Sequence, residues 1–237
     1  MIYHQFAKFY ESQNFANFDL IALRLIRSIL RSEGIRPKSC LDLACGNGVA
    51  SIILAKEGIK VIGLDLSTEM LELARNRARK AGLKINFVHA DMRDFKLDQR
   101  VDLAICLYDS LNYLLKLSDL QRTFKNVHES LSENALFIFD MNTGKTLKNW
   151  NDWHSFNEKW NTSLNGKFDS KTNIAKLNVV MFVKKRHGDY QRLVESHVEK
   201  AYPINEIRGA LKEAGFSRVR LSDFPKSHGR LLGIAKQ

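Results

Sequence analysis

A short segment with two glycines, Asp42-Leu-Ala-Cys-Gly46-Asn-Gly48, is the first place where residue types point to chemistry. The glycines let the backbone approach a ligand closely and direct amide groups at it, beside the start of a helix. A dinucleotide-binding motif would have a third glycine where this chain has Ser51, and a phosphate-binding Gly-Lys-Ser/Thr sequence is absent. Because a carboxylate at Asp42 would repel pyrophosphate, the segment favours a ligand that carries an ammonium group.

Two further acids close the next two predicted strands. Asp65, 23 residues after Asp42, stands where an acid can accept two charge-assisted hydrogen bonds from ribose hydroxyls. Asp91 is suited to accept a hydrogen bond from an exocyclic amine, and Met92 beside it to pack on an aromatic ring. One such acid alone is more often a helix cap or a loop carboxylate. Three acids at successive strand ends, next to a glycine turn, indicate a single binding site.

Alternating strands and helices would bring these acids together. Short apolar strands are predicted at 41–43, 60–64, 85–90, 101–107 and 135–139, with helices between them. Such alternation is typical of a parallel sheet that is covered by helices on both faces. In an additional helix at 17–30, the apolar side chains predicted to share one face are Phe18, Ile21, Ala22, Leu25 and Ile29.

The alternation ends after Met141. An antiparallel sheet of about three strands is predicted within residues 150–200, with hairpin turns at Asn165-Gly166 and Gly188-Asp189. A helix follows from Pro203 to Gly215, and the strands at 216–221 and 230–235 are too close for a crossover helix, so they must be antiparallel. The chain is therefore predicted to contain an α/β domain, residues 1–142 and 201–237, interrupted by a β insertion at 143–200.

Composition excludes several classes of protein. With 237 residues, 44% of them hydrophobic, 27% charged and only 3 proline, the chain is not disordered, collagen-like or of low complexity. No apolar run approaches the roughly 20 residues that span a bilayer, and the first residues lack a signal-peptide layout. A cytoplasmic protein without membrane contact is expected. Cys40, Cys45 and Cys106 lie in apolar segments and are predicted to be buried free thiols, with no disulfide or metal site.

The net charge of +11 is unevenly distributed. Residues 40–139 contain 13 basic and 13 acidic residues, so the whole excess lies outside them. One interpretation is an anionic substrate or a nucleic acid attracted to the peripheral elements. The other is that the charge only keeps the protein in solution, which we favour because no segment interleaves basic and aromatic residues as a single-strand-binding groove does.

The glycine segment and the three acids resemble the class I S-adenosylmethionine-dependent methyltransferases. Residues 41–48 resemble the first motif of the family, 61–65 the second and 89–92 the third. The resemblance covers residues 38–141 closely and 201–237 by layout. It implies a Rossmann-like, mostly parallel seven-stranded sheet with helices on both faces and a terminal antiparallel strand. It also implies S-adenosyl-L-methionine as the cofactor.

The resemblance further implies which residues bind this cofactor. They lie at the carboxyl ends of the first four strands and in the N-terminal segment: Tyr10, Asp42, Ala44, Gly46, Gly48, Asp65, Leu66, Met70, Asp91, Met92 and Leu107. Asp42 and the glycines would border the methionine moiety, Asp65 would hold the ribose hydroxyls, and Asp91 would take the adenine amino group. Leu66 and Met70 would flank the adenine. Tyr10 would reach the cofactor carboxylate, although it could instead belong to an apolar helical stripe.

The segment 107–113 resembles the stretch after the fourth strand in small-molecule enzymes with an inserted sheet, such as glycine and sarcosine N-methyltransferases. The insertion would then act as a lid over a small acceptor, which could be an anion. The Asn/Asp-Pro-Pro-Tyr signature of DNA and RNA amino-methyltransferases does not occur in the chain. RNA stays an alternative acceptor because of the basic excess, and a non-catalytic cofactor-binding subunit is a third hypothesis. Both a monomer and a homodimer are compatible with the sequence.

Methyl transfer mainly needs alignment, and an acid–base group matters only if the acceptor atom arrives protonated. The candidates for such a group lie after the fourth strand and in the insertion: Tyr108, Asp109, Tyr113, His154 and His197. The two tyrosines could instead pack over the cofactor, and His154 could be a surface residue. His197 alternates with Glu195 and Glu199 along one strand, a pattern that could also form an exposed polar face.

Overall fold

A computed structural model describes residues 16–156, 160–185, 188–225, 227 and 229–237 of the chain. Within these residues the strands divide into a seven-stranded sheet and a four-stranded antiparallel sheet. The predicted α/β class with a β insertion is therefore confirmed. The predicted cofactor residue Tyr10 lies outside the described residues.

The larger sheet contains seven of the described strands, in the order β10-β11-β5-β4-β1-β2-β3. Their bounds are β1 Ser39–Leu43, β2 Lys60–Asp65, β3 Asn86–His89, β4 Val101–Cys106, β5 Leu131–Asn142, β10 Arg218–Asp223 and β11 Arg230–Lys236. All run parallel except β11, which is antiparallel to both β5 and β10. The last strand of the chain is thus the antiparallel one that the resemblance implies, and the final hairpin is confirmed.

Helices cover both faces of this sheet. Their bounds are α1 Ala16–Ser32, α2 Val49–Lys56, α3 Thr68–Lys80, α4 Leu117–Ser130, α5 Gly144–Leu147 and α6 Ile204–Glu213. Helices α1 and α2 share one apolar core with the sheet, in which Leu23 and Leu54 meet Ile105. On the opposite face, α4 and α6 pack through Phe124 and Leu211. None of the described helices is long and apolar enough to cross a membrane.

The apolar face predicted for α1 needs one correction. Ile21 is 51% exposed, whereas Leu23, Ile26 and Leu30 are buried together with Ala22. Leucine and isoleucine occupy more than half of the circumference of this helix, so spacing alone did not decide which stripe packs on the sheet. The stripe that does so includes residues one position beyond the predicted ones.

The inserted sheet has four described strands instead of about three, β6 Trp153–Phe156, β7 Trp160–Asp169, β8 Ile174–Lys184 and β9 Tyr190–Lys200. The turn predicted at Asn165-Gly166 is wrong, because both residues lie inside β7 and pair with β8. A Cβ atom on Gly166 would lie only 2.1 Å from the carbonyl oxygen of Trp150, so this glycine permits a close backbone approach. The turn at Gly188-Asp189 is confirmed.

The three cysteines are free and buried, as predicted. Burial raises the pKa of each thiol well above its ordinary value. These thiols are therefore protonated and act as small apolar side chains of the core.

Asn112 joins the inserted sheet to the larger one. It lies in the short 3-10 helix Ser110–Tyr113 and is fully buried. Its side-chain amide donates to the carbonyl oxygens of Asn142 (2.9 Å) and Lys200 (2.8 Å), and its amide oxygen accepts from the backbone N–H of Asn142 (2.9 Å). One side chain thus ties the segment after β4 to the ends of β5 and β9.

We predict that Asn112→Ala lowers the free energy of unfolding by about 3 kcal/mol, since three buried backbone groups lose a partner at about 1 kcal/mol each. Urea unfolding followed by circular dichroism measures this loss. Asn178→Ala is the matched control. The side chain of Asn178 is exposed in β8 and accepts a hydrogen bond from the Ser196 hydroxyl, so the substitution should cost less than about 0.5 kcal/mol. Equal losses in the two variants would contradict the role given to Asn112.

Candidate functional site

The loop after β1 has an alternating left-handed backbone. Ala44, Gly46 and Gly48 have φ values of 56°, 52° and 76°. At Gly48, a Cβ atom would lie 2.9 Å from the Cβ of Ala74 in α3. Glycine is therefore needed there both for the backbone angle and for the packing of α3 against the loop. The loop turns sharply at the carboxyl end of β1 and leads into α2.

Asp65 holds this loop against the start of α3. Its two carboxylate oxygens accept from the backbone N–H of Gly46 and of Ser67, both at 2.8 Å. Ser67 then caps α3 by accepting from the N–H of Met70. Burial raises the pKa of Asp65, and the backbone hydrogen bonds oppose that shift. Each carboxylate oxygen still has a second lone pair with which it can accept from a ligand.

Asp42 lies deeper than the resemblance implies. It is buried at the end of β1 and its Oδ2 accepts from the hydroxyl of Ser51 at 2.5 Å. Burial raises the pKa of Asp42 to about 7, with repulsion from Asp19 and Asp65 as further causes. The serine that interrupts the dinucleotide pattern is thus the partner of the first acid, a relation that sequence reasoning missed.

Asp91 and Met92 follow β3 at the same edge of the sheet. The side chain of Arg93 donates to both oxygens of Asp91, from Nε at 3.0 Å and from Nη2 at 2.5 Å. This contact lowers the pKa of Asp91, so the carboxylate stays ionised. Met92 is half-buried against the main core. A ligand amine that binds Asp91 would have to share it with Arg93.

Leu66 and Met70 lie on either side of the start of α3. Leu66 is 53% exposed immediately after Asp65, whereas Met70 is buried beneath Gly46. The carbonyl oxygen of Leu66 accepts from Nε2 of His89 at 2.9 Å. An exposed leucine beside a buried acid is an apolar surface suited to an aromatic ring.

The segment after β4 is strained and fixed by one carboxylate. Leu107 is buried, and the next two residues, Tyr108 and Asp109, both have positive φ, at 59° and 49°. Their backbone N–H groups donate to Oδ1 and Oδ2 of Asp140, at 2.9 and 3.1 Å. Left-handed non-glycine residues persist only where the surroundings impose them, and they cluster at functional sites. Asp140 at the end of β5 imposes this conformation.

Tyr108 reaches α1. Its hydroxyl donates to Oδ2 of Asp19 at 2.9 Å, and its ring lies 4.6 Å from that of Phe18. Burial, and then Asp19, raise the pKa of Tyr108 well above its ordinary value. Burial also raises the pKa of Asp19 to about 6. The position of Tyr108 is that of an anchor between the segment after β4 and α1.

Arg230 at the start of β11 joins two acids. Its Nη2 donates to Oδ1 of Asp109 at 2.6 Å, and its Nη1 donates to Oδ2 of Asp140. The guanidinium group also lies over the ring of Phe18, 4.7 Å from its centroid. Burial raises the pKa of Asp140 to about 6, although Arg230 opposes that shift. Sequence reasoning gave Arg230 no role.

His197 and Tyr113 form the contact between the inserted sheet and this segment. The Tyr113 hydroxyl and Nδ1 of His197 share a hydrogen bond of 2.9 Å. His197 is only 8% exposed, and burial lowers its pKa. The strand face that carries His197 and Glu199 is thus turned inward, which excludes an exposed polar face for these two residues. Two of the predicted acid–base candidates are in direct contact.

Glu199 lies one step further along the same face of β9. It is 1% exposed, and its Oε2 accepts from Nδ2 of Asn142 at 2.9 Å. Burial raises the pKa of Glu199, and a hydrogen bond and repulsion from Asp109 raise it further. Glu199 therefore keeps its proton more readily than an ordinary glutamate, and its carboxyl group is hydrogen-bonded to Asp109. The other amide atom of Asn142, Oδ1, is buried without a hydrogen-bond partner among the described residues.

His154 is the predicted site residue that the fold keeps apart. It is exposed on β6. Its register partners on the neighbouring strands are Ser163 in β7, Val180 in β8 and Val194 in β9. Val194 and His197 are three residues apart on β9 and so point to opposite faces. His154 thus lies on the outer face of the inserted sheet, and its position does not support a catalytic role.

The outer face of the inserted sheet collects exposed aromatic and basic side chains from four strands. They are Phe156, Lys167, Lys176, Phe182, Lys184, Tyr190 and Arg192. No single segment of the sequence interleaves these two residue types, because the fold brings them together from different strands. Among the residues that the structure describes, no three His, Cys, Asp or Glu side chains lie close enough together to hold a metal ion.

The chain is similar to several known proteins. A family profile described as "Methyltransferase domain" matches residues 40–134. The protein named "Putative methyltransferase YqeM" from Bacillus subtilis (strain 168) is 31% identical over 231 residues, which cover 94% of this chain and 89% of that protein.

Solved structures are similar over nearly the full chain. The crystal structure of a S-adenosylmethionine-dependent methyltransferase from Clostridium acetobutylicum ATCC 824 is 26% identical, with a TM-score of 0.82 and coverage of 98% of this chain and 96% of that one. CalS10 from Micromonospora echinaspora, an amino pentose methyltransferase with its cofactor bound, is similar in fold with a TM-score of 0.75. It is 18% identical over 100% of this chain and 98% of its own.

We predict that Asp42 makes the stability of the protein fall as the pH rises. Its pKa is raised by burial from 3.8 to about 7. Between these two pH values the folded chain therefore binds a proton that the unfolded chain has lost, and the free energy of unfolding falls as the pH rises. Relative to wild type, Asp42→Asn should therefore gain up to about 4 kcal/mol of unfolding free energy between pH 4 and pH 8. Urea unfolding at a series of pH values measures the difference.

The exposed Asp98→Asn is the control, and its difference from wild type should stay constant over the same pH series. If the difference in unfolding free energy between Asp42→Asn and wild type were also constant over the pH series, burial would not raise the pKa of Asp42.

Proposed function

Since this chain belongs to the class I S-adenosylmethionine-dependent methyltransferases, we propose that it transfers a methyl group to a small-molecule acceptor and that the insertion, residues 143–200, covers this acceptor as a lid. The observation that carries the proposal is the contact between the two sheets. Polar side chains of β9 reach the segment after β4, where His197 shares a hydrogen bond with Tyr113. An acceptor enclosed between them would meet groups from both parts of the chain.

The residues at the carboxyl ends of β1–β3 fit S-adenosyl-L-methionine. Asp65 keeps accepting capacity for the ribose hydroxyls, and Leu66 beside it exposes an apolar surface for the adenine. The backbone of Ala44, Gly46 and Gly48 would border the methionine moiety. When bound, the cofactor supplies a methyl group that is activated by its attachment to a sulfonium.

Other side chains would surround the proposed cofactor-binding site. Asp42 would contribute negative charge from beneath the loop while it is bonded to Ser51. Met70, Met92 and Leu107 would form apolar walls. Asp91 would meet the adenine amino group at the edge that its contact with Arg93 leaves open.

The chain's own contribution to the reaction would be mainly alignment. Correct placement of the reacting groups can lower a barrier by roughly 7–11 kcal/mol. Tyr108 and Asp109 are held by Asp140, so the wall of the acceptor site after β4 is rigid. His197 is the group suited to accept a proton, because burial keeps its imidazole neutral.

A small acceptor is supported by the size and position of the insertion and by the amino pentose methyltransferase CalS10, which has a similar fold. The idea that the acceptor is an anion is not supported. Asp109, Asp140 and Glu199 lie where the two sheets meet, and Arg230 is the cation that contacts both aspartates. The basic excess of the chain lies elsewhere, in part on the outer face of the inserted sheet.

RNA is the second candidate acceptor, and one observation favours it. The outer face of the inserted sheet presents Phe156, Phe182 and Tyr190 among lysine and arginine side chains. Aromatic stacking surfaces combined with basic groups are typical of single-strand binding. This face lies on the opposite side of the sheet from His197, however, so RNA bound there would still have to reach around the sheet.

We predict that Asp65→Ala weakens binding of S-adenosyl-L-methionine by more than about 100-fold, because two hydrogen bonds to a charged group are lost at roughly 1.5–3 kcal/mol each. Isothermal titration calorimetry measures the affinity. Asp98→Ala removes an exposed acid and should stay within about twofold of wild type. If Asp65→Ala bound S-adenosyl-L-methionine as tightly as wild type, the cofactor-binding site would lie elsewhere.

We also predict that radiolabelled cofactor, incubated with the protein and a metabolite extract, yields labelled small molecules. The double variant Lys184→Glu/Arg192→Glu removes charge from the outer face and should leave this labelling within about twofold, because these exposed side chains lie away from the acceptor site. Filter binding to total RNA over a salt series should show at most weak retention. Label found only in RNA, and lost in the double variant, would replace the small acceptor by RNA.

A further inference from the structure

We propose that Asp109, Glu199 and the amide oxygen of Asn142 form a subsite that binds a protonated amine of the acceptor. This inference rests on the proposed function, since it assigns the chemical class of the molecule that the insertion covers. The three groups come from the segment after β4, from β9 and from the end of β5. They meet where the two sheets join.

The amide of Asn142 provides the evidence for a missing donor. Asn142 is 4% exposed, and its Nδ2 donates to Oε2 of Glu199 at 2.9 Å. Its Oδ1 is buried and has no hydrogen-bond partner within the described part of the chain. Buried polar atoms are almost always hydrogen-bonded, so an orphaned acceptor beside two carboxyl groups points to a ligand that donates.

The charges around Glu199 favour a cation. Asp109 and Asp140 contact Arg230, which lies at the start of β11. His197 and Glu195 lie on the same face of β9 as Glu199, and Asn142 at the end of β5 contacts Glu199 directly. The guanidinium of Arg230 is the cation in contact with the two aspartates, and burial keeps His197 neutral. A third carboxylate in this position is unfavourable unless it keeps a proton or meets a positive ligand.

An ammonium group matches the subsite in number and in charge. It has three donors and no acceptor, and the subsite offers three acceptors: Asp109, Glu199 and Oδ1 of Asn142. A hydroxyl group would donate once and leave two of them unsatisfied. When the ammonium binds, the proton of Glu199 passes to solvent, and Glu199 becomes a carboxylate paired with the cation.

The test uses the full-length protein, radiolabelled S-adenosyl-L-methionine and a metabolite extract in two forms, native and N-acetylated. Acetylation turns primary and secondary amines into amides and removes their positive charge. We expect it to abolish at least about nine-tenths of the label in small molecules, because uncharged amides cannot pair with the carboxyl groups. Label that persists in the acetylated extract would overturn the amine assignment and leave the small-molecule methyltransferase intact. A native extract without any labelled small molecule would overturn both.

Variants locate the subsite. Glu199→Gln keeps the shape of the side chain and removes its charge, and it should reduce labelling of the native extract by about 100-fold, as expected for the loss of a buried charged hydrogen bond. Glu129→Gln removes an exposed acid of α4 and should label within about twofold of wild type. Calorimetry with S-adenosyl-L-methionine should give the same affinity for Glu199→Gln and wild type, which shows that the variant is folded. Labelling by Glu199→Gln at the wild-type level would overturn the subsite.

Discussion

The carboxylate of Asp140 is the constraint on which the candidate site depends. It is fully buried at the end of β5. Its two oxygens accept hydrogen bonds from the backbone N–H groups of Tyr108 and Asp109 and from the guanidinium group of Arg230. Without these contacts, two consecutive residues with side chains would leave the left-handed conformation, which costs about 1–3 kcal/mol for each residue. Asp140 therefore sets the direction in which Tyr108, Asp109 and the following 3-10 helix project.

A second constraint is the number of acids that the fold buries near the carboxyl ends of the parallel strands, from the larger sheet, from α1 and from the inserted sheet. Burial raises the pKa values of Asp19, Asp42, Asp65, Asp140 and Glu199, so the folded chain holds negative groups in surroundings that disfavour their charged forms. Such an arrangement reduces stability unless a positive ligand compensates. A sulfonium cofactor with an amino group would supply positive charge near Asp42 and Asp65, and a cationic acceptor would supply more near Glu199.

The sequence predicted the parts of the site that are local along the chain. The glycine loop and Asp65 each follow a predicted strand directly, and the structure places them together. The partners that complete the site could not be predicted in this way. Arg230 is 121 residues from Asp109, and Glu199 is 57 residues from Asn142. Gly166 was mistaken for a turn residue because a close approach to Trp150 leaves no local signal in the sequence.

The contacts of these distant residues form one continuous path through the molecule. The side chain of Asp19 in α1 accepts a hydrogen bond from the Tyr108 hydroxyl, and Asp140 accepts one from the backbone N–H of Tyr108. Arg230 donates to both Asp140 and Asp109, and Asp109 is hydrogen-bonded to Glu199 of the inserted sheet. Asn112 reinforces the far end by binding the backbone of β5 and β9. Movement of the inserted sheet relative to the larger one would therefore have to break buried, charged hydrogen bonds. Since such bonds are costly to leave unpaired, the position of β9 over the segment after β4 is part of the folded core. In the lid that we propose, β9 would be the fixed part, and any movement would fall to β6–β8 and their connecting turns.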